Sequence, residues 1–159
     1  LHYKVVANLP YYVTSLILRH FLEASVKPRM MIVMVQKEVA ERIRIKPRNK
    51  VYGILSVLLQ TWFDVEYLFT VSEHVFYPPP KVKSAVVRLT RNNTHDIGCN
   101  QAHYFAVVKA AFNQRRKTLR NALKSFLINR DTESISDFLD RRAEQLTVEE
   151  FIELANYIQ

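Results

Sequence analysis

The sequence predicts an α/β sheet followed by a small all-helical unit. Three observations lead there. Two β-rich runs, at residues 4–7 and 30–35, enclose an apolar-periodic stretch at 15–24; period-two patterning takes over after Trp62; and beyond a polar segment at 92–100 every apolar pattern has helical spacing. The 159 residues, 48% of them hydrophobic, suffice to bury a core, which excludes disorder for most of the chain.

The run at 4–7 is ended by Asn8-Leu9-Pro10 and followed by the helix expected over 15–24. The run at 30–35 is unbroken, as expected of a strand covered on both faces, so the two runs and the helix form a βαβ unit with parallel strands. Residues 36–45 and 52–61 read as helices separated by the polar stretch 46–50. Val65, Tyr67, Phe69 and Val71 then fall on one side of a period-two strand, and 85–89 supplies an antiparallel partner. Between those strands runs a long connection, 72–83, in which Pro78, Pro79 and Pro80 follow Phe76 and Tyr77; such a proline run is stiff and should hold the aromatics in place.

Residues 92–100 read as a linker, and helices are expected over 101–112, 115–128, 132–142 and 148–157. The last has a start signal: Thr147 as cap, Glu150 three residues on, and Leu146 and Phe151 as a hydrophobic staple.

The formal charge of +8 favours a polyanionic partner, and its placement narrows the choice. Residues 81–130 hold eleven Lys and Arg against one acid, whereas 131–159 hold two against eight, so the first block is the candidate phosphate-binding surface. On the helix expected from residue 115, Leu119, Leu123, Phe126 and Leu127 repeat at core spacing while Arg116, Lys117, Arg120 and Lys124 share a neighbouring face; with Arg115 they form the candidate RNA contacts. No apolar run is long enough to span a bilayer, and a cytoplasmic protein with no membrane role is expected. The single Cys99 suits a reducing compartment and reads as an inert thiol. The five histidines lack ligand spacing, so no metal is expected, and Glu38 reads as a solvated helix start.

Asn8-Leu9-Pro10-Tyr11 lies where a parallel strand ends, the edge at which open α/β sheets bind ligands. Pro10 biases Leu9 toward an extended backbone and removes one donor, so the Asn8 amide oxygen and nearby carbonyls can face a ligand as acceptors. Acceptors suit an amino group, and Tyr11 offers a ring on which a base can stack.

NLPYYVTS resembles the (N/D/S)-(I/L/P)-P-(Y/F) motif of S-adenosylmethionine-dependent amino-methyltransferases, in the form usual for the KsgA/RsmA rRNA adenine-N6 dimethyltransferase family. VQKEVAERI, YGILSVLLQ, VFYPPPKVKSAVVRL, AFNQRRKTLRNAL and AEQLTVEEFIELAN are similar to that family in the same order. The resemblance implies an α/β fold: the C-terminal part of a Rossmann-like S-adenosylmethionine-dependent methyltransferase sheet (residues 1–92) plus a small all-helical RNA-binding domain (100–159). It implies dimethylation of two adjacent adenines in a hairpin near the 3′ end of small-subunit rRNA, with S-adenosylmethionine as donor and the 30S precursor as partner. Asn8, Leu9 and Pro10 would then meet both donor and target amine, and Tyr11 and Phe76 would stack the base.

Two departures qualify this. The chain opens at Leu1 and contains only Gly53 and Gly98, so the Gly-rich loop and the acidic ribose partner expected early in this fold are absent. It therefore reads as a fragment that binds the donor weakly and is inactive alone. Lys83 stands where the family more often has an acid. The competing readings are a methyltransferase of the Erm type acting on large-subunit rRNA, and a non-catalytic RNA-binding or ribosome-assembly factor of the same fold.

Overall fold

A computed structural model describes residues 2–159 and resolves them into two compact units. One comprises the described residues up to Arg44 with Trp62–Asn93; the other comprises Ile45–Thr61 with Thr94–Gln159.

The first unit is a four-stranded mixed sheet. Strand β1 (Lys4–Asn8), helix α1 (Thr14–Glu23) and strand β2 (Met30–Gln36) form the expected βαβ unit, with Val6 opposite Ile32 and Asn8 opposite Met34 in a parallel register. Helix α2 (Lys37–Arg44) follows β2 directly, and strands β3 (Phe63–Val71) and β4 (Ser84–Arg91) close the sheet in the order β1-β2-β4-β3, with β4 antiparallel to both neighbours.

One sheet face is dry: Met31, Val33 and Val35 of β2 pair with Leu89, Val87 and Ala85 of β4, and all six are buried. Helix α2 lies over that face, with the Arg44 guanidinium 5.0 Å from the centre of the Tyr67 ring. The opposite face is only half-buried at Met30, Ile32, Met34 and Gln36, so the unbroken apolar run does not mark a strand fully covered on both sides in the described chain.

Strand β3 also departs from expectation. A bulge at Leu68 puts Tyr67 opposite Val87 but Phe69 opposite Val86. Since side chains alternate with period two, one inserted residue moves Phe69 and Val71 to the face opposite Val65 and Tyr67, and Phe69 is left 55% exposed.

The second unit is helical. Helix α3 begins at Ile54 and runs to Trp62, whose last residue belongs to the first unit. Helix α4 (Gln101–Asn113) is capped by Asn100, whose Oδ1 accepts from the backbone N–H of Ala102 at 2.8 Å. Short helices α5 (Leu119–Ala122) and α6 (Ser136–Leu139) lead to α7 (Val148–Tyr157). The cap of α7 is as expected: Thr147 Oγ1 accepts from Glu150 N and Glu150 Oε1 from Thr147 N, both at 3.1 Å, while Leu146 and Phe151 are buried. The core joins Phe112 and Phe151, 5.7 Å apart, to Tyr52, whose ring meets Phe112 edge-on.

This division differs from the 1–92 and 100–159 split expected from composition. Ile45–Thr61 packs with the later helices because its buried groups are used there: the Thr61 and Tyr104 hydroxyls bond at 2.8 Å, Arg48 N donates to the Glu144 carbonyl at 2.7 Å, and Val57 and Leu59 are fully buried. The polar stretch before α4 is docked to α7, since Asn156 Nδ2 donates to the Ile97 carbonyl at 2.6 Å and Ile97 is buried.

The long helices expected over 115–128 and 132–142 do not form. Thr118 is extended (φ −65°, ψ 158°), and the Leu119 N–H donates at 2.8 Å to the carbonyl of Arg141 instead of to its own chain four residues back. A bond from another segment thus replaces the helical one, and the basic residues do not share one continuous helix face.

Candidate functional site: an aromatic cleft at a strand end

At the carboxyl end of β1 the Leu9 N–H still donates to the Met34 carbonyl, at 3.1 Å, so the chain keeps its register as it leaves the sheet. Leu9 turns its side chain into the core, and only its backbone faces outward. Pro10 then redirects the chain into a single 3-10 turn, Tyr11–Val13. Its carbonyl is consumed locally, accepting from the Thr14 hydroxyl at 2.9 Å and from Val13 N at 3.3 Å. The expected backbone acceptors therefore narrow to Leu9. Neither the Leu9 carbonyl nor the exposed Asn8 side chain has a hydrogen-bond partner among the described residues.

The facing wall comes from the connection between β3 and β4. Ser72 Oγ accepts from His74 N at 3.2 Å and starts a 3-10 turn, Glu73–Val75; Phe76 N then donates to the Glu73 carbonyl at 3.4 Å, and the prolines carry the chain away. The two segments enclose an open cleft of about 470 Å³, with Asn8, Leu9, Pro10 and Tyr11 on one side and Phe76, Tyr77, Pro78 and Pro80 on the other. Tyr11 is fixed by a hydrogen bond between its hydroxyl and that of buried Ser84, the first residue of β4.

All five residues expected at the strand-end site thus lie together. Tyr77, Pro78 and Pro80 on the rim were expected as a stiff run and an aromatic that it holds, not as site residues, and Ser84 as the Tyr11 anchor was not anticipated. The lining contains no carboxylate, imidazole, thiol or amine. Such a cleft can grip a flat ring by its faces and offer oxygens to an amino group, and its only titratable lining groups are the Tyr11 and Tyr77 hydroxyls. Among the described residues no group of three or more His, Cys, Asp or Glu could hold a metal ion, and no helix is long and apolar enough to cross a membrane. Glu38 pairs with Arg42 at 3.3 Å, and burial pushes the Cys99 thiol up, helped by Asp96.

The basic residues of the second unit separate into two groups. Arg115 donates to the Tyr52 carbonyl and pairs with Glu144 at 3.6 Å, and Arg120 pairs with Asp140 at 2.8 Å. Arg116, Lys117 and Lys124 are exposed and have no ion-pair partner among the described residues. Lys117 and Lys124 line a second cleft, about 690 Å³, together with Gln114, Asn121 and Ser125.

Comparison with known proteins adds the following. The model of the family "Ribosomal RNA adenine dimethylase" matches residues 1–159. A relative from Bacteroides thetaiotaomicron named "Ribosomal RNA small subunit methyltransferase A" is 53% identical over 158 residues, covering 99% of this chain and 59% of its own length. The protein of that name from Phocaeicola vulgatus is 50% identical over 157 residues, covering 99% and 56%. The chain thus spans somewhat over half the length of the curated relatives it matches. A dimethyladenosine transferase from Plasmodium falciparum superposes with a TM-score of 0.83 at 21% identity, covering 96% of this chain and 65% of that one. The 23S rRNA methyltransferase ErmE superposes with 0.67 at 24% identity, covering 99% and 65%. Both share the mixed α/β fold.

Proposed function

The chain belongs to the ribosomal RNA adenine dimethylase family, and from that premise we propose that it is the target-base and RNA-gripping part of an enzyme that dimethylates the N6 amines of two adjacent adenines in a small-subunit rRNA hairpin. One observation supports this most: residues 8–11 at the strand end and the loop residue Phe76 line one cleft that has acceptors and aromatic faces but no carboxylate or imidazole.

The chemistry asks for little else. An adenine amine shares its lone pair with the ring and is a weak nucleophile, so the reaction depends on an activated methyl group, which S-adenosylmethionine supplies when bound. The protein's part is orientation. The Asn8 amide oxygen and the Leu9 carbonyl would accept the two amine hydrogens, turning the nitrogen lone pair out of the ring plane. Tyr11, tied to Ser84, and Phe76 would hold the base by its two faces. Asn8, Leu9 and Pro10 are also the residues that would meet the donor. The free acceptors at Asn8 and Leu9 fit a site shared by amine and donor, and the only glycines, Gly53 and Gly98, lie in the other unit.

The proposed partner is small-subunit rRNA in its ribosomal precursor, met in the cytoplasm, with Arg116, Lys117 and Lys124 contacting phosphates while Arg115 and Arg120 brace the surface through Glu144 and Asp140. Identity of about half to small-subunit methyltransferases, against 24% to ErmE, favours this substrate over the large subunit. A non-catalytic assembly role in the same fold would leave Asn8 dispensable.

The test uses the full-length protein on under-methylated small subunits in single turnover. Asn8→Ala should lower methyl transfer at least a hundredfold, on the order expected when an orienting contact is lost, with RNA affinity nearly unchanged. Phe76→Ala should also slow transfer, and Phe76→Tyr should restore much of it. Near-normal rates for Asn8→Ala would remove the amine from this cleft, and only a parent protein that transfers no methyl group would leave the assembly role standing.

A further inference from the structure

Tyr77 is the one aromatic residue on the cleft that the proposed reaction leaves unused. Its side chain is 100% exposed, although it borders the same cleft as half-buried Phe76. Phe76 is extended (φ −105°, ψ 152°), so consecutive side chains point to opposite sides of the backbone. Phe76 therefore turns inward, and Tyr77 stands at the mouth with both ring faces accessible to solvent. Packing does not account for the ring, since it buries nothing, and its hydroxyl has no partner among the described residues. Its position is nevertheless defined, because Pro78 fixes the chain on one side and the turn Glu73–Val75 on the other.

Single-stranded RNA entering the cleft creates a need at that mouth. Extruding one base removes a stacking partner from the next nucleotide, whose apolar face then meets water. A rigid aromatic ring at the entrance can replace the lost partner without reading sequence.

We propose that Tyr77 is a second base-stacking subsite, which receives the nucleotide next to the one held between Tyr11 and Phe76. The inference rests on the base-binding reading of the cleft. It assigns the rim of the loop Ser72–Lys83 a ligand of its own, an unpaired nucleobase flanking the target. Tyr77 thus sets how the strand enters and takes no part in orienting the amine.

The experiment places the fluorescent base 2-aminopurine in a small-subunit rRNA hairpin loop, at the target position or at either neighbour, and titrates each RNA with the full-length protein. One neighbour probe should be quenched on binding, and Tyr77→Ala should abolish that quenching while leaving the target probe unchanged. Affinity for the hairpin should fall about fivefold to tenfold, the low end for one stacked base, and Tyr77→Trp should restore both signals. Phe76→Ala should alter the target probe instead. If the target probe responds to Phe76→Ala but neither neighbour responds to Tyr77→Ala, the subsite is wrong and the cleft reading survives. If the target probe ignores both Phe76→Ala and Tyr11→Ala, the cleft reading fails and the subsite fails with it. Because Tyr77 buries no surface, loss of folding cannot produce the Tyr77→Ala result.

Discussion

Replacing Arg116, Lys117 and Lys124 together by glutamine tests whether the second unit holds RNA as proposed. The structure gives these three exposed cations no carboxylate partner among the described residues, whereas Arg115 is committed to Glu144 and the Tyr52 carbonyl, and Arg120 to Asp140. Only a cation free to displace counterions contributes fully to the salt dependence of binding, at about 0.7 of a log-log unit per phosphate on single strands. The triple variant should therefore lose about two units of slope, so that raising salt fourfold weakens its binding roughly tenfold to twentyfold less than it weakens the parent's. Arg115→Gln should behave in the opposite sense, lowering the melting temperature while changing the slope by well under one unit. Fluorescence anisotropy of a labelled small-subunit rRNA hairpin, titrated across a potassium chloride series, measures both. An unchanged slope in the triple variant would show that the surface is merely solvated. A slope change for Arg115→Gln as large as one third of the triple variant's would show that the ion pairs do not divide the cations as described.

Two further outcomes concern stability. Hydrogen bonding from Arg141 holds the Glu150 carboxyl below its ordinary range, with the Thr147 backbone helping, so its contribution is fully present above the unfolded carboxylate pKa of about 4.3 and is lost as pH falls through the lower folded value; melting curves of Glu150→Gln should therefore converge on the parent's below that window, and curves that stay parallel across it would refute the linkage. Gly98 has φ +82° and a Cβ there would lie 2.5 Å from Asn156 Oδ1, so Gly98→Ala should cost roughly 1–3 kcal/mol and lower the melting temperature several degrees, and an unchanged melting temperature would show that the segment is not docked as described.

What the sequence revealed depended on how local the governing physics was. Helix α7 was legible to the residue because its start is written in Thr147 and Glu150 and its buried face in Phe151, Leu154 and Ala155. The βαβ unit was legible because two apolar runs flank one periodic stretch, and a parallel pair needs such a crossover. The segment from residue 115 misled for the opposite reason. Leu119 and Leu123 are buried as their spacing implies, yet short turns satisfy that spacing as well as a continuous helix does. The deciding interaction, Leu119 N to the Arg141 carbonyl, joins residues far apart in the chain. The bulge at Leu68 was equally hidden, since an uninterrupted alternation at 65, 67, 69 and 71 carries no mark of the inserted residue.

The cleft combines both situations. Residue type alone pointed to Asn8 and Tyr11, because an amide and a ring after a strand-ending proline suit an aromatic amine. Phe76 was paired with Tyr11 only through the family resemblance, and only the fold shows that the Pro10 carbonyl is spent on Thr14 and Val13, leaving Leu9 as the backbone acceptor. The joint between the two segments is the contact of the Tyr11 hydroxyl with Ser84, which sits at the base of the very strand that the Phe76 loop leads into. Ser84 belongs to the sheet, so the rings proposed to grip the base are referenced to the sheet from both sides. The proposed chemistry, orientation of an amine, needs that kind of support, because the lining has no carboxylate or imidazole that could make up for an error of position.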